Sequence, residues 1–286
     1  MTCARRPCLV LCVGMLAAPA RAQILVENAG VGSPEVPTYE QSFAALDSAH
    51  LREVAWTHQF TWAPTLVDEL KVVLPLLSRE VEFAARRDEA LGLGDVRVRY
   101  KRQLWRSEGV LASTRFGAVA ELLAPTGADD LEAGGVRWPR ALQPGGGAFG
   151  LGLGLAYTRI RDRHRFASEC MLRARAEDEG FDAGESVSLG LSYWYRLAPA
   201  VFQPGPHVTE WRGVLECLAT WRTEASQDDV GLGDDGALVW FVPGLQVYAR
   251  RDLLLQASVA VPIVAGVDDP LGDRNWAALL SVRYYL

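Results

Sequence analysis

The last twelve residues, Asn275 to Leu286, alternate in character. Trp276, Ala278, Leu280, Val282, Tyr284 and Leu286 share one parity. Asn275, Ser281 and Arg283 share the other, with Ala277, Leu279 and Tyr285 between them. A period of two is that of a strand, whose successive side chains point to opposite faces. A strand with one apolar and one mixed face, placed at the chain terminus, suits two architectures. It can be the last stave of a membrane barrel, closing against the first so that no backbone edge meets lipid. It can equally be a strand of a soluble sandwich.

The same alternation recurs upstream. Val54, Trp56, His58, Phe60 and Trp62 oppose Ala55, Thr57, Gln59 and Thr61. Val96, Val98 and Tyr100 oppose Asp95, Arg97, Arg99 and Lys101. Phe116, Ala118, Ala120 and Leu122 oppose Arg115, Gly117, Val119 and Glu121. Leu151, Leu153 and Leu155 alternate with Gly150, Gly152 and Gly154. Segments of this kind continue through 164–175, 187–196, 210–221 and 253–263, with a strand of undetermined facing over Ala237–Ala249. Most reach the roughly 9–11 residues that a tilted strand needs to cross a bilayer, beyond the ~5–6 usual in soluble sheets. Of the 286 residues, 49% are hydrophobic, yet past the leader no apolar run reaches the ~18 residues of a membrane helix. The hydrophobicity is spread over every second position instead.

The connections add a rhythm. Working back from the C-terminus, long Ala265–Asp273, Thr223–Gly236, Pro125–Gly147 and Ser78–Leu91 interleave with short Arg250-Arg251, Arg161–Arg163, Arg106–Gly109 and Ala63–Thr65. Glu177–Gly184 and Ala198–His207 are of middling length, and Pro204-Gly-Pro206 marks a turn. Bacterial barrels keep short turns at one end and long loops at the other, with an even strand count. A further strand is therefore expected near Thr38–Leu46. The prediction is an all-β, closed antiparallel transmembrane barrel of about twelve strands, with ten or fourteen as the alternatives. Arg5-Arg6, the apolar run Leu9–Ala18 and Ala20-Arg-Ala22 read as a secretory signal. The organisation is then a signal over 1–22, a lead with the first strand over 23–50, and the barrel over 51–286.

Four short features, in order, carry a family resemblance: Gly92-Leu-Gly-Asp95, Ala124-Pro-Thr-Gly127, the glycine strand Gly150–Leu155, and Pro243-Gly-Leu-Gln246. With them the chain from about Val54 to Leu286 resembles the outer-membrane family labelled MetA-pathway of phenol degradation, a transporter-like barrel. It departs from that family in ending on Leu286 rather than Phe. The resemblance implies an outer-membrane barrel and a link to aromatic-compound metabolism. It carries over no functional residues.

If the apolar faces meet lipid, the opposite faces line the lumen. Arg97, Arg99, Lys101, Arg115, Arg165, Arg173, Arg175, Arg196, Arg212 and Arg283 then point inward, with Glu121, Glu169, Glu210 and Glu216. Charges in a narrow lumen must pair or be hydrated. The residues fit either a polar passage that favours anions or a salt-bridge network that plugs the tube. Small inward glycines read as relief of strand curvature.

Other chemistries find little support. His50, His58, His164 and His207 are scattered, without metal-ligand spacing. The glycines of 145–154 lack the strand–loop–helix setting of a phosphate loop. The formal net charge of −6 argues against a nucleic-acid partner. No cofactor or metal is expected. Cys170 and Cys217 fall on strands with one strand between them, about 9–10 Å apart and beyond disulfide reach. The expected partners are membrane lipid, a small-molecule solute, and the barrel-assembly machinery through the C-terminal strand. The expected role is a passive channel or transporter in the outer membrane. A plugged structural barrel, a lipid-modifying barrel enzyme and a secreted soluble β protein are the alternatives.

Overall fold

A computed structural model describes residues 29–48, 51–83, 86–133, 136–138, 140–201, 208–233, 235–267 and 274–286. The signal segment, His50, His207 and the Pro204–Pro206 turn lie outside the described residues.

The wall consists of β1 (Thr38–Ser48), β2 (Leu51–Trp62), β3 (Asp68–Phe83), β4 (Arg86–Leu93), β5 (Val96–Gly109), β6 (Ala112–Ala124), β7 (Gly150–Arg161), β8 (His164–Arg175), β9 (Ser186–Ala198), β10 (Glu210–Arg222), β11 (Gly236–Arg250), β12 (Leu253–Val267) and β13 (Arg274–Tyr285). Consecutive strands pair antiparallel, except that β4 and β5 do not pair with each other. β1 also pairs with β13, from Thr38 opposite Tyr285 to Leu46 opposite Ala277. The sheet closes on itself. β4 and β5 both lie against β3, one beyond the other, so the thirteen segments make twelve staves.

That interruption has a local cause. Val73 faces Arg97, but Leu76 faces Leu93, so the β4–β5 side carries one residue more, a β-bulge at Gly94-Asp95. The Gly94 N–H donates to the Pro75 carbonyl at 2.9 Å. The carbonyl and the amide nitrogen of a strand residue face the same neighbour. The missing N–H of Pro75 therefore falls where the ladder is already broken, a position that tolerates proline.

Alternation sorts the side chains as the membrane requires. Outward, Leu151 and Leu153 are each 67% exposed, and Phe43, Phe60, Leu172, Val261 and Leu280 are exposed with them. Exposed aromatics ring both ends: Trp62, Trp211 and Tyr284 at the end holding the termini, Trp221 and Trp276 at the other. Such rings suit the two membrane interfaces. Inward, Glu40, Glu53, Glu69, Lys71, Arg79, Arg99 and Lys101 are buried.

The structure departs from the sequence reading in three places and settles one point that it left open. Ser78–Leu91 is not a long loop. β3 runs through it to Phe83 and β4 begins at Arg86, because the charged residues Arg79, Glu80 and Glu82 occupy ladder positions opposite Ala90, Glu89 and Arg87. The Arg106–Gly109 turn shifts to residues 110–111, with β5 running through Gly109. β11, of undetermined facing, turns Leu238, Trp240, Val242 and Gln246 inward. Finally, Gly150, Gly152 and Gly154 serve neighbours rather than curvature. They face Arg175, Arg173 and Met171 of β8, and a Cβ on Gly152 would stand 3.3 Å from both the Arg173 side chain and the Met171 methyl. Their bareness makes room for long inward side chains.

Candidate functional site: a charged, partly filled lumen

At mid-height the lumen is crossed by an ion-pair network. Glu121 of β6 receives Arg173 at 2.9 Å, Arg99 at 3.5 Å and Arg97 at 3.6 Å. Arg99 also meets Glu169 at 3.0 Å, and Arg173 donates to Ser188 Oγ at 2.8 Å. Arg175 lies 4.0 Å from Asp95. Glu216 is buried on the inner face of β10. Nearer the termini, Lys101 pairs with Glu69 at 2.7 Å, Arg212 with Glu210 at 2.6 Å and Arg283 with Glu40 at 2.7 Å. Arg115 reaches Glu108 at 3.4 Å, and Arg196 lies 3.8 Å from Asp162 in the β7–β8 turn.

The sequence reading overlooked several partners in this set: Glu40, Glu53, Glu69 and Arg79. Parity was the available signal. Glu53 shares its face with Ala55 and Thr57, and Arg79 would have declared itself had β3 been extended past Leu77. With these acids counted, the interior is a largely compensated network rather than a bare cationic wall.

Two stretches of chain enter the lumen. From the end away from the termini, the β6–β7 connection folds inward. Its 3₁₀ turn, Arg140–Leu142, puts Leu142 out of solvent entirely, and Trp138 beside it is buried. Both pack on inward Leu46, Leu51, Val81, Trp240 and Val242 from opposite walls. Arg79 fixes the turn by donating to the carbonyls of Leu142 at 2.9 Å and Gln143 at 2.8 Å while pairing with Glu53 at 2.7 Å. Asp95, turned inward at the bulge, accepts from Gly127 N–H at 3.1 Å and Gly146 N–H at 2.8 Å. Gly127 and Gly145 meet back to back; a Cβ on Gly127 would stand 2.6 Å from the Gly145 Cα, so neither tolerates a side chain. Over the top, Arg140 joins Asp129 at 2.7 Å and also Asp178, and Arg137 joins Glu179 at 2.8 Å, tying this connection to the β8–β9 loop.

From the other end comes the lead before β1. Ala29 is fully buried against Val119, Ala156 and Met171, and its N–H donates to Thr158 Oγ1 at 2.9 Å. The Gly32 N–H donates to Glu69 at 2.9 Å.

Space remains between these intrusions. A cavity of about 90 Å³ lies beneath the β6–β7 connection, lined by Glu53, Arg79, Asp95, Arg97, Arg99 and Pro144 among others. A cavity of about 220 Å³ opens near the termini, lined by the lead together with Lys101, Arg165, Trp194, Tyr248 and Arg283. Lys71 lines both.

Of the histidines, His58 and His164 are described, and the two do not come together. His164 Nδ1 lies 2.7 Å from Tyr193 Oη, with both side chains exposed at the wall, and His58 Nδ1 lies 2.6 Å from Tyr39 Oη. Among the described residues, no cluster of three or more His, Cys, Asp or Glu suits a metal ion. Cys170 and Cys217 are free thiols.

A closed twelve-stave tube with an apolar outside and a charged inside is an outer-membrane-type β-barrel. Among solved structures it is similar to the COG4313 outer membrane channel from Pseudomonas putida F1, with a TM-score of 0.64, 17% identity, and coverage of 88% of this chain and 94% of that one. It is similar also to the NanC porin, with a TM-score of 0.49, 8% identity, and coverage of 87% of this chain and 100% of that one. No protein-family model matches the chain, and no curated protein matches it in sequence.

Proposed function

We propose that the barrel is a passive outer-membrane channel for small molecules, reached after export under the N-terminal signal. The observation that carries this reading is a pair of cavities, each lined in part by charged side chains, that share Lys71. An interior meant only as a filler would be closed by its side chains without such spaces, as in eight-strand barrels. Here charged groups line both spaces, and hydrated charge is what lets a polar solute leave water without a large penalty. The largely compensated network keeps the ionic preference small. The resemblance to the phenol-degradation family points to aromatic solutes; the likeness in fold to an outer-membrane channel supports passage and says nothing of the solute.

A plugged, structural barrel is the second reading. It is favoured by the burial of Trp138 and Leu142 at one end and of Ala29 at the other. Planar-bilayer recording of the refolded chain separates the two. Discrete conductance steps are expected, together with a shift of the small ionic preference away from anions in the double variant Arg173→Ala/Arg175→Ala. A silent bilayer, with barrels verified as inserted, would establish the plug.

A further inference from the structure

Arg165 differs from the rest of the lumen's arginines in its surroundings. It sits on the inner face of β8, stacked on the Trp194 ring with its guanidinium carbon 4.0 Å from the centroid. Its Nε is buried without a hydrogen-bond partner, and the guanidinium makes no hydrogen bond or ion pair with any described residue. The side chains felt there are Arg212, Arg115 and Arg283, all of its own sign, and the Tyr248 hydroxyl, which favours the cation. The acids at this end are engaged elsewhere: Glu69 by Lys101, Glu210 by Arg212, Glu40 by Arg283. A partly desolvated cation among cations calls for an anion that the described residues do not supply.

The space for one is present, because Arg165 lines the 220 Å³ cavity at the terminal end. That volume falls below the ~300–1,000 Å³ of sites for drug-sized ligands, which points to a single-ring molecule. The wall pairs the cationic side with an apolar one. Leu254 is buried there, and Tyr285 stacks with Tyr248 at 6.3 Å between ring centroids. A guanidinium presents two parallel N–H groups to a carboxylate, and flat rings favour aromatic neighbours.

We propose that this cavity binds a small aromatic carboxylate, its carboxylate on Arg165 and its ring toward Leu254 and Tyr285. As a statement of solute class this rests on the channel reading; as a binding site it stands without it.

Calorimetric titration of the refolded chain in detergent micelles tests the proposal, with empty micelles as the blank. Benzoate is expected to bind saturably, about tenfold or more tighter than benzamide, its neutral isostere, since a charge-assisted bond is at stake. Arg165→Gln is expected to erase that preference, and Arg159→Gln, on the exposed outer face of β7, to retain it. Equal binding of benzoate and benzamide by the unaltered chain overturns the proposal without recourse to any variant. So does a benzoate preference that survives Arg165→Gln. Inorganic phosphate displacing benzoate at comparable concentration overturns the aromatic assignment in favour of a plain anion site. No current is measured, so a failure here leaves the channel reading intact, and a silent bilayer leaves this site intact.

Discussion

Arg79 of β3 reaches into the lumen and holds the carbonyl of Leu142 at 2.9 Å. One buried cation thereby joins the wall to the segment that obstructs it. Its other partner, Glu53, is equally buried, so removing the guanidinium leaves an uncompensated carboxylate at a cost of about 3–5 kcal/mol. Arg79→Gln and Leu142→Ala are each expected to loosen the β6–β7 connection. The measurement is trypsin cleavage after Arg140 in the folded barrel, which should accelerate at least severalfold in both variants. Channel conductance, where present, should rise with it.

Three arginines converge on Glu121. Glu121→Gln leaves them facing one another with one acceptor fewer, and destabilisation of about 3–5 kcal/mol is expected. Urea unfolding in lipid vesicles, followed by tryptophan fluorescence, reads it directly. Leu123→Ala on the same inner face removes apolar atoms without touching a charge and should cost less.

The outer surface makes an opposite prediction. Leu153 lies on the lipid side of β7, between exposed Leu151 and Leu155. Leu153→Arg should destabilise the inserted barrel by about 2–4 kcal/mol, as charges near the bilayer midplane do. An arginine at neighbouring Gly152 fails for a different reason: the inner space is already filled by Arg173. Fold yield in detergent separates the two. The lipid-side variant folds in micelles and suffers in bilayers, whereas the lumen-side variant suffers in both.

The thiols report on the same sorting. Cys170 and Cys217 lie in β8 and β10, with β9 between, and neither is bonded. The chain from Gln23 onward, denatured and alkylated without reductant, should gain two adducts. In the bilayer, exposed Cys170 should react with an uncharged, lipid-soluble maleimide and resist a sulfonated one. A single mass lacking both adducts would mean that the strand order is wrong.

Much of this architecture was legible in the residues because a membrane wall leaves sequence little freedom. Lipid outside and water or charge inside impose a period of two that no turn or loop imitates, and Trp276 to Leu286 shows it plainly. The first strand was placed near Thr38–Leu46 by strand-count parity alone, and β1 occupies Thr38–Ser48. Legibility failed where the period is masked. Arg79 to Glu89 is charged on both faces, so β3 and β4 past the bilayer resemble a loop in composition while pairing as a hairpin. It failed again for the β6–β7 connection. Glycine, proline and arginine say that a segment is not a strand, but not whether it leans outward or folds in. That depended on contacts distant in sequence, such as Leu142 with Leu51 and Asp95 with Gly146. The glycines of β7 misled for a related reason, since their purpose is read from the residues across the ladder.

The seam where Thr38 meets Tyr285 has a consequence for how such a molecule comes into being. A tube joined head to tail has no half-built form that shields its own edges. Synthesis of eleven staves yields not a narrower pore but a sheet with two bare margins, each seeking a partner. Completion is therefore decided by the dozen residues of β13, and a nonsense codon anywhere before them costs the cell the whole vessel rather than a part of it.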